Sequence, residues 1–333
     1  MADVNRRPHR VYSGSWLARV AAILLLLPTL RAADTWRRAE SEHFVFYTNY
    51  GSRATRSYLK TLESARDFFH TLHPEATLPA EPVVLAVKSE KQFDQFRSIR
   101  NSIGECYSDG TRSFLVFTNL DLEPKINLLH EYAHCVLNYT QPSLPWWLAT
   151  GLEELYSSMT DRGSRASIGR TLISRESRAW ADDFMFIDLR NIFSTTPATM
   201  NDLSFTSQAT AVSEMWALVH MLALSPEYAD QFQIFVRRAT EMPADIALIS
   251  TYDKSVREMQ AALIGYIDSG HWRRVEYEIP DIGKQLPRIT FRPTDAASVE
   301  RLTAQILGAK WTSMRHTQSL TFASIMPRDS TAE

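Results

Sequence analysis

Two histidines and a glutamate in the segment HEYAH have the residue types and the spacing that metal chemistry requires. Residues four apart on an α-helix lie on one face, so His130 and His134 can direct two imidazoles at one ion. Zinc binds neutral imidazole and, in catalytic sites, keeps one coordination position for water. Glu131 adjoins the first histidine and can accept a proton from that water. The segment therefore predicts Zn²⁺ bound by His130 and His134, with Glu131 as the general base.

The flanking sequence places HEYAH in the middle of a helix that follows a strand. Residues 113–118 (SFLVFT) are rich in β-branched and aromatic side chains, which predicts a strand. Asp121 and Pro124 form a helix-start signal, and a helix is predicted over residues 125–139. A second helix is predicted to begin near Trp147 and to end about a dozen residues later.

The rest of the chain indicates an α+β fold. Strands are predicted at residues 43–48 and 83–87, with an amphipathic helix between them in which apolar residues recur every three or four positions. We therefore expect a small mixed sheet that carries the HEYAH helix in an α+β subdomain, residues 34–160. A mainly helical subdomain at residues 161–270 and an irregular C-terminal extension at residues 271–333, with one last helix over residues 296–307, are predicted to follow.

The N-terminus has the three parts of a secretory signal peptide. Four arginines precede the short apolar run 20–30, and the small residues Ala32 and Ala33 follow it. The run is about half the length that spans a bilayer, and Pro28 interrupts it. Residues 1–33 are thus predicted to be a signal peptide cleaved near Ala32 or Ala33. The mature chain is expected to be periplasmic or secreted, without a stable membrane span; a retained anchor is the alternative.

Net charge and cysteine content limit the classes of binding partner and bear on the redox state of the compartment. The formal net charge is −2, which gives no electrostatic case for nucleic-acid binding. The chain has two cysteines, Cys106 and Cys135. An oxidising compartment would permit a disulfide between them. Two buried free thiols are the alternative, because sequence separation does not fix the distance between the two Cα atoms.

Residues 40–268 resemble the peptidase-MA-like gluzincins of bacteria. The resemblance includes HEYAH, the strand before it, the opening strand and helix, the segment PWWLATGLEELYSS and the helix SEMWALVHML. It implies zinc-dependent hydrolysis of a peptide or protein substrate with water as the nucleophile. It also implies that His130 and His134 are zinc ligands and that Glu131 is the general base.

The sequence departs from that family at the third zinc ligand. Members typically have W-L-x-E-G-x-A-E after the zinc helix, and the first glutamate of this pattern binds the metal. Thr150 stands at that position here, Glu154 matches the second glutamate, and Glu153 replaces the alanine. Because Glu154 lies one turn beyond Thr150 on the same helix face, we predict Glu154 as the third ligand. Glu153 is the alternative, since its separation from His134 is one that some gluzincins use.

Two functions follow from these observations. The first is an exported zinc metallopeptidase whose substrate peptide pairs with the strand at residues 113–118. The second is a non-catalytic gluzincin-like binding module with a degenerate zinc site, which Thr150 favours. A side chain that stabilises an oxyanion is harder to assign. His220 lies on an apolar helix and is predicted to be a core histidine, and the sequence does not place Tyr107 or Tyr156.

Overall fold

A computed structural model of the chain describes residues 35–74, 81–98, 102–118, 124–170, 186–279 and 288–325. The predicted signal peptide at residues 1–33 lies outside this described part. From Trp36 onward the chain belongs to a single compact unit. In the described ranges, no helix combines the length and the apolar character needed to cross a membrane.

A six-stranded mixed sheet underlies the HEYAH helix. Its strands are β1 (Arg37–Glu40), β2 (Val45–Thr48), β3 (Val83–Ala86), β4 (Gly104–Ser108), β5 (Ser113–Phe117) and β9 (Thr290–Pro293). They are arranged in the order β4-β5-β3-β2-β1-β9. The β2–β3 and β3–β5 pairs are parallel, whereas β1–β2, β1–β9 and β4–β5 are antiparallel. The mixed sheet and its predicted strands are confirmed.

Eleven α-helices complete the described part of the chain, and the α+β class is confirmed. They are α1 (Ser52–Leu72), α2 (Glu90–Phe93), α3 (Pro124–Thr140), α4 (Trp146–Ser157), α5 (Leu189–Phe193), α6 (Pro197–Asn201), α7 (Phe205–Leu224), α8 (Phe232–Glu241), α9 (Ala244–Tyr252), α10 (Val256–Ser269) and α11 (Ala296–Ile325). HEYAH lies in α3, and α4 is the second helix that the sequence predicts. A 3₁₀ turn at Ala229–Gln231 precedes α8.

Helices cover both faces of the sheet because its central strands are apolar on both sides. Val84 and Leu115 belong to a core cluster that includes residues of α1, α3 and α4. Their neighbours Leu85 and Val116 face the opposite way, into a second cluster with residues of α11 such as Ile306. The alternation follows from the two-residue period of a strand, and it fixes α3 on one face of the sheet.

Close packing on α7 determines where α4 lies. Gly151, in the middle of α4, has no side chain at the point where the two helices meet. A Cβ atom there would lie 2.5 Å from Val219 Cγ2 and 2.6 Å from the carbonyl oxygen of Met215, both on α7. The absent side chain lets the helices approach closely, and this approach holds the residues of α4 against α3.

The chain after residue 270 contributes the helix predicted at residues 296–307, found as part of α11, and two strands that were not predicted. β8 (Val275–Glu278) completes a three-stranded antiparallel sheet with β6 (Thr160–Asp161) and β7 (Arg165–Ile168). β9 pairs with β1, and α11 covers one face of the main sheet. The predicted boundaries at residues 161 and 271 therefore do not coincide with breaks in the structure. Pairing over more than 100 residues leaves no local sequence signal of the kind that marks a hairpin.

The strand predicted to pair with substrate is internal to the sheet. β5 pairs with β3 on one side and with β4 on the other, so its backbone groups are already used in two ladders. A peptide cannot add to it. β4 is the edge strand at this end of the sheet, and it was not predicted from the sequence. This corrects the assignment of residues 113–118 as the substrate strand.

Candidate metal and catalytic site

The amphipathic character of α3 aims the polar residues of HEYAH away from the core. Leu128, Leu129, Ala133, Val136 and Leu137 are all buried. The three candidate site residues of α3 keep partial access to solvent. The imidazole rings of His130 and His134 thus project from the same side of the helix, as the sequence predicts.

Glu153 of α4 contacts both histidines. Its Oε1 lies 2.5 Å from His134 Nδ1 and its Oε2 lies 3.7 Å from His130 Nε2. The side chain of Glu153 is only 5 % exposed, so its charge requires partners in the protein. The two imidazoles are those partners, and the three side chains form one group.

Glu154 contacts one histidine, from a different direction. Its Oε1 lies 3.2 Å from His130 Nδ1, although the two groups are not aligned well enough for a hydrogen bond. Glu154 is more open to solvent than Glu153, with 22 % of its side chain exposed. Thr150, one turn earlier on α4, is buried. Both carboxylates that the sequence offers as a third ligand therefore reach the histidines, and they use different ring nitrogens of His130.

The histidines and the glutamates at this site stabilise one another's charged forms. Burial lowers the pKa of His130, but the carboxylates of Glu154, Glu131 and Glu153 outweigh it and raise that pKa to about 10. Burial likewise lowers the pKa of His134, and Glu153 and Glu131 raise it to about 9. The pKa of Glu153 stays below its ordinary value, because the attraction of His134 and His130 exceeds the effect of burial. The carboxylates thus favour the protonated form of both imidazoles.

Glu131 lies against the edge strand β4. A Cβ atom on Gly104 would be 2.5 Å from Glu131 Cγ, so the side chain packs on the strand at this residue. Burial raises the pKa of Glu131 to about 7, against the opposing effect of His130 and His134. The negative charge of Glu105, the next residue on β4, also raises it. A carboxylate with a pKa near neutrality is suited to exchange protons at physiological pH.

Two tethers hold α3 in place. Cys135 forms a disulfide with Cys106 of β4, with Cα atoms 5.9 Å apart, so the bridge and not the pair of free thiols is found. On a different part of α3, Tyr132 donates a hydrogen bond of 3.1 Å to Glu81 Oε2. Arg66 of α1 donates from Nε to Glu81 Oε1 at 2.6 Å. The helix that carries the site is thereby fixed to the sheet and to α1.

The remaining candidates have structural roles in the described contacts. His220 is fully buried; its Nε2 donates to the Gly169 carbonyl at 3.0 Å and its Nδ1 lies 2.8 Å from the Tyr266 hydroxyl, which confirms it as a core histidine. Tyr107 donates to Glu105 Oε2 at 3.0 Å. Tyr156 packs edge-on against Phe69.

The donor set suits zinc, although its side chains are closed on one another. Two ligands of a tetrahedral zinc ion with bonds near 2.0–2.1 Å stand about 3.3 Å apart, close to the 3.7 Å between His130 Nε2 and Glu153 Oε2. Because His134 Nδ1 contacts Glu153, the nitrogen of that ring that remains for a metal is Nε2. As the side chains stand, however, the described residues contain no group of three or more His, Cys, Asp or Glu arranged to hold a metal ion.

Sequence reasoning missed β4 and therefore Gly104. The signal was present: Asp109-Gly110 is a hairpin turn dipeptide, and a strand was predicted after it but not before it. Comparison with known proteins adds no assignment. No protein-family model matches the chain, and no curated protein is similar enough to count as a match.

Proposed function

We propose that the mature chain is an exported zinc-dependent peptidase of the gluzincin type. The observation that carries the proposal is the group formed by His130, His134 and Glu153, with contacts of 2.5 Å and 3.7 Å, beside the carboxylate of Glu131, which lies against the edge strand β4. Two imidazoles and a carboxylate are a ligand set that catalytic zinc uses. The resemblance of HEYAH and its surroundings to gluzincins supports the same function.

In this proposal Glu153 is the third ligand and Glu154 orients His130. Histidines that bind a metal commonly direct their other ring nitrogen at a carboxylate, and Glu154 lies 3.2 Å from His130 Nδ1. Zinc would supply a Lewis acid that lowers the pKa of a bound water. Glu131 would accept the proton, for which its pKa of about 7 is suited.

The substrate peptide would add to the outer edge of β4. Edge strands present unpaired N–H and C=O groups that can pair with an extended peptide. Among the described strands, β4 pairs with β5 alone. Gly104, its first residue, adjoins Glu131, so a peptide along this edge would pass the base. Because such pairing uses only main-chain atoms, it does not indicate which substrate side chains are preferred.

Export is supported by two independent features. The Arg-flanked apolar run at residues 20–30 is typical of a signal peptide. The Cys106–Cys135 disulfide is a bond that persists in oxidising compartments and is rare in the cytosol. Mass spectrometry of the protein from the envelope or medium should find a chain that starts near Ala33 or Asp34. An intact Met1 on mature protein would contradict export by this route.

The second candidate is a binding module that retains the fold without hydrolysis. Thr150 at the family's ligand position and the closed contacts among the His and Glu side chains favour it. In that case the pairing of His134 with Glu153 would be a structural ion pair, and β4 would hold a partner peptide without cleaving it.

Zinc content of the purified mature protein separates the two functions. We expect about one equivalent of zinc per chain after dialysis against metal-free buffer, measured by atomic emission. Cleavage of an unfolded protein substrate that stops with a chelator and returns with zinc would establish the peptidase. A chain that takes up no zinc at neutral pH, with zinc supplied, would exclude it and leave the binding module.

A further inference from the structure

Glu131 contacts β4 at Gly104, where the observed side-chain conformation leaves no space for a Cβ atom. A Cβ added to Gly104 would lie 2.5 Å from Glu131 Cγ, 2.8 Å from its Oε1 and 2.9 Å from its Cδ. Non-bonded carbon atoms attract best at about 3.5–4.0 Å, so an alanine at this site and the observed conformation of Glu131 exclude each other. Gly104 is not among the described glycines with positive φ, and its backbone therefore does not itself require glycine.

The disulfide prevents the strand from moving away to make room. Cys106 is two residues after Gly104, on the same face of β4, and Cys135 is four residues after Glu131, on the same face of α3. The Cα atoms of the two cysteines are 5.9 Å apart. Strand and helix are therefore joined at neighbouring points, one covalent and one a van der Waals contact, and the separation at the second is set by the first.

We propose that Gly104 is a positioning residue for Glu131: its missing side chain forms the space that holds the base against β4. The catalytic part of this inference rests on the proposed peptidase function, whereas the steric part does not. A peptide paired along β4 would take its position from the same strand. The base and the substrate would then both be positioned by β4. Holding the reacting groups on one rigid element keeps them in near-attack geometry.

A double-mutant cycle in thermal unfolding tests the steric part without any assay of activity. Overpacking costs about 1–3 kcal/mol, so Gly104→Ala should lower the unfolding midpoint by roughly 2–6 °C. In a Glu131→Ala background, where all three crowded atoms are gone, the same substitution should change the midpoint by less than about 1 °C. An equal fall in both backgrounds, or no fall in the parent, would overturn the proposal.

Two matched variants control for charge and for glycine replacement in general. Glu131→Gln keeps the shape of the side chain but removes its charge, so Gly104→Ala should lower the midpoint in this background as much as in the parent. A Cβ atom added to Gly265 of α10 would meet nothing within 4 Å, and alanine is favoured over glycine inside a helix, so Gly265→Ala should not lower the midpoint. A Gly104 effect that vanishes with Glu131→Gln would show an electrostatic cause and contradict the steric one.

Steady-state kinetics test the catalytic part. Gly104→Ala should lower kcat on the order of a hundred-fold, as expected for a displaced catalytic group, with KM and zinc content near those of the parent. Unchanged kcat in a folded, zinc-loaded variant would refute the positioning role. A parent chain without hydrolytic activity would remove the peptidase proposal and this kinetic role together, while the unfolding cycle would still decide whether Gly104 positions Glu131.

Discussion

The carboxylate of Glu153 accepts a hydrogen bond of 2.5 Å from His134 Nδ1. The same carboxylate reaches His130 Nε2 at 3.7 Å, so one buried group on α4 contacts both histidines of α3. Glu154, which the sequence favours as the third ligand, contacts only His130, through Nδ1. The two glutamates therefore reach the histidines differently, Glu153 through both rings and Glu154 through His130 alone.

The first prediction concerns the third ligand. Glu153→Ala should lower zinc affinity by more than about a hundred-fold, because two histidines alone hold zinc weakly. Glu154→Ala should lower it by roughly ten-fold, the lower end for loss of an orienting partner. Competition with a chromophoric chelator gives both values.

Thr150→Glu supplies the control for this comparison, since it restores the residue that the resembled family uses as ligand. The reverse ranking of the two alanine variants would identify Glu154 as the ligand. No loss in either, together with a large gain in Thr150→Glu, would mean that the site is degenerate.

The second prediction concerns the base. Glu131→Gln should retain zinc, because the histidines and Glu153 remain, but it should lose hydrolysis by about a hundred-fold or more, because an amide cannot accept the proton. Zinc stoichiometry and peptide cleavage should be measured on the same preparation. If the Glu131→Gln variant cleaves as fast as the parent, Glu131 is ruled out as the base.

The third prediction concerns the disulfide. Cys106 and Cys135 are 29 residues apart in the sequence, and closing a loop of that size lowers the entropy of the unfolded chain. Replacing both cysteines by serine should therefore reduce the free energy of unfolding by about 3–4 kcal/mol, measured by urea denaturation. A reducing agent should have the same effect on the parent and none on the double variant. Equal stability with and without the reductant would contradict the bridge.

The fourth prediction concerns Glu214, a fully buried carboxylate of α7. Burial raises its pKa to about 7, although the Ile187 backbone N–H donates to its Oε2 at 2.9 Å. A raised pKa means that the folded state binds the proton more tightly than the unfolded state. The contribution of Glu214 to stability is then present below pH 4.5 and is lost as the pH rises to about 7.

Glu214→Gln mimics the protonated form and should remove this dependence. From pH 5 to pH 8 the parent should lose stability relative to the variant, by on the order of 3 kcal/mol in the free energy of unfolding. Chemical denaturation at both pH values measures the difference. Glu300→Gln, an exposed site on α11, is the matched control and should follow the parent. A Glu214→Gln curve parallel to that of the parent would refute the prediction.

The sequence predicted the parts of the fold that local patterns encode. The apolar residues of α3 recur at helical spacing, and the runs at residues 43–48, 83–87 and 113–118 have strand composition, so each element could be recognised without its neighbours. The side-by-side placement of His130 and His134 also follows from helix geometry alone. These predictions depend on contacts within one element.

The contacts between elements could not be predicted in the same way. Whether Glu153 or Glu154 faces the histidines depends on how α4 is rotated against α3, and Gly151 packing on α7 fixes that rotation. The order of strands, which makes β4 an edge and β5 internal, is set by long-range pairing. Composition distinguishes the polar β4 (GECYS) from the apolar β5 (SFLVF), but it does not say which strand pairs with which.

The pairing of β9 with β1 has a consequence for how the chain folds during biosynthesis. Arg37–Glu40 lies between β2 and β9 in the sheet, yet β9 begins only at Thr290. One side of β1 therefore stays without its partner until some 250 further residues have been synthesised, a separation that makes closure of the sheet slow. In the interval an unpaired edge is open to wrong partners, and a chaperone that holds the chain extended would protect it. Completion of the sheet only after Thr290–Pro293 has been synthesised is the order of events that this topology imposes.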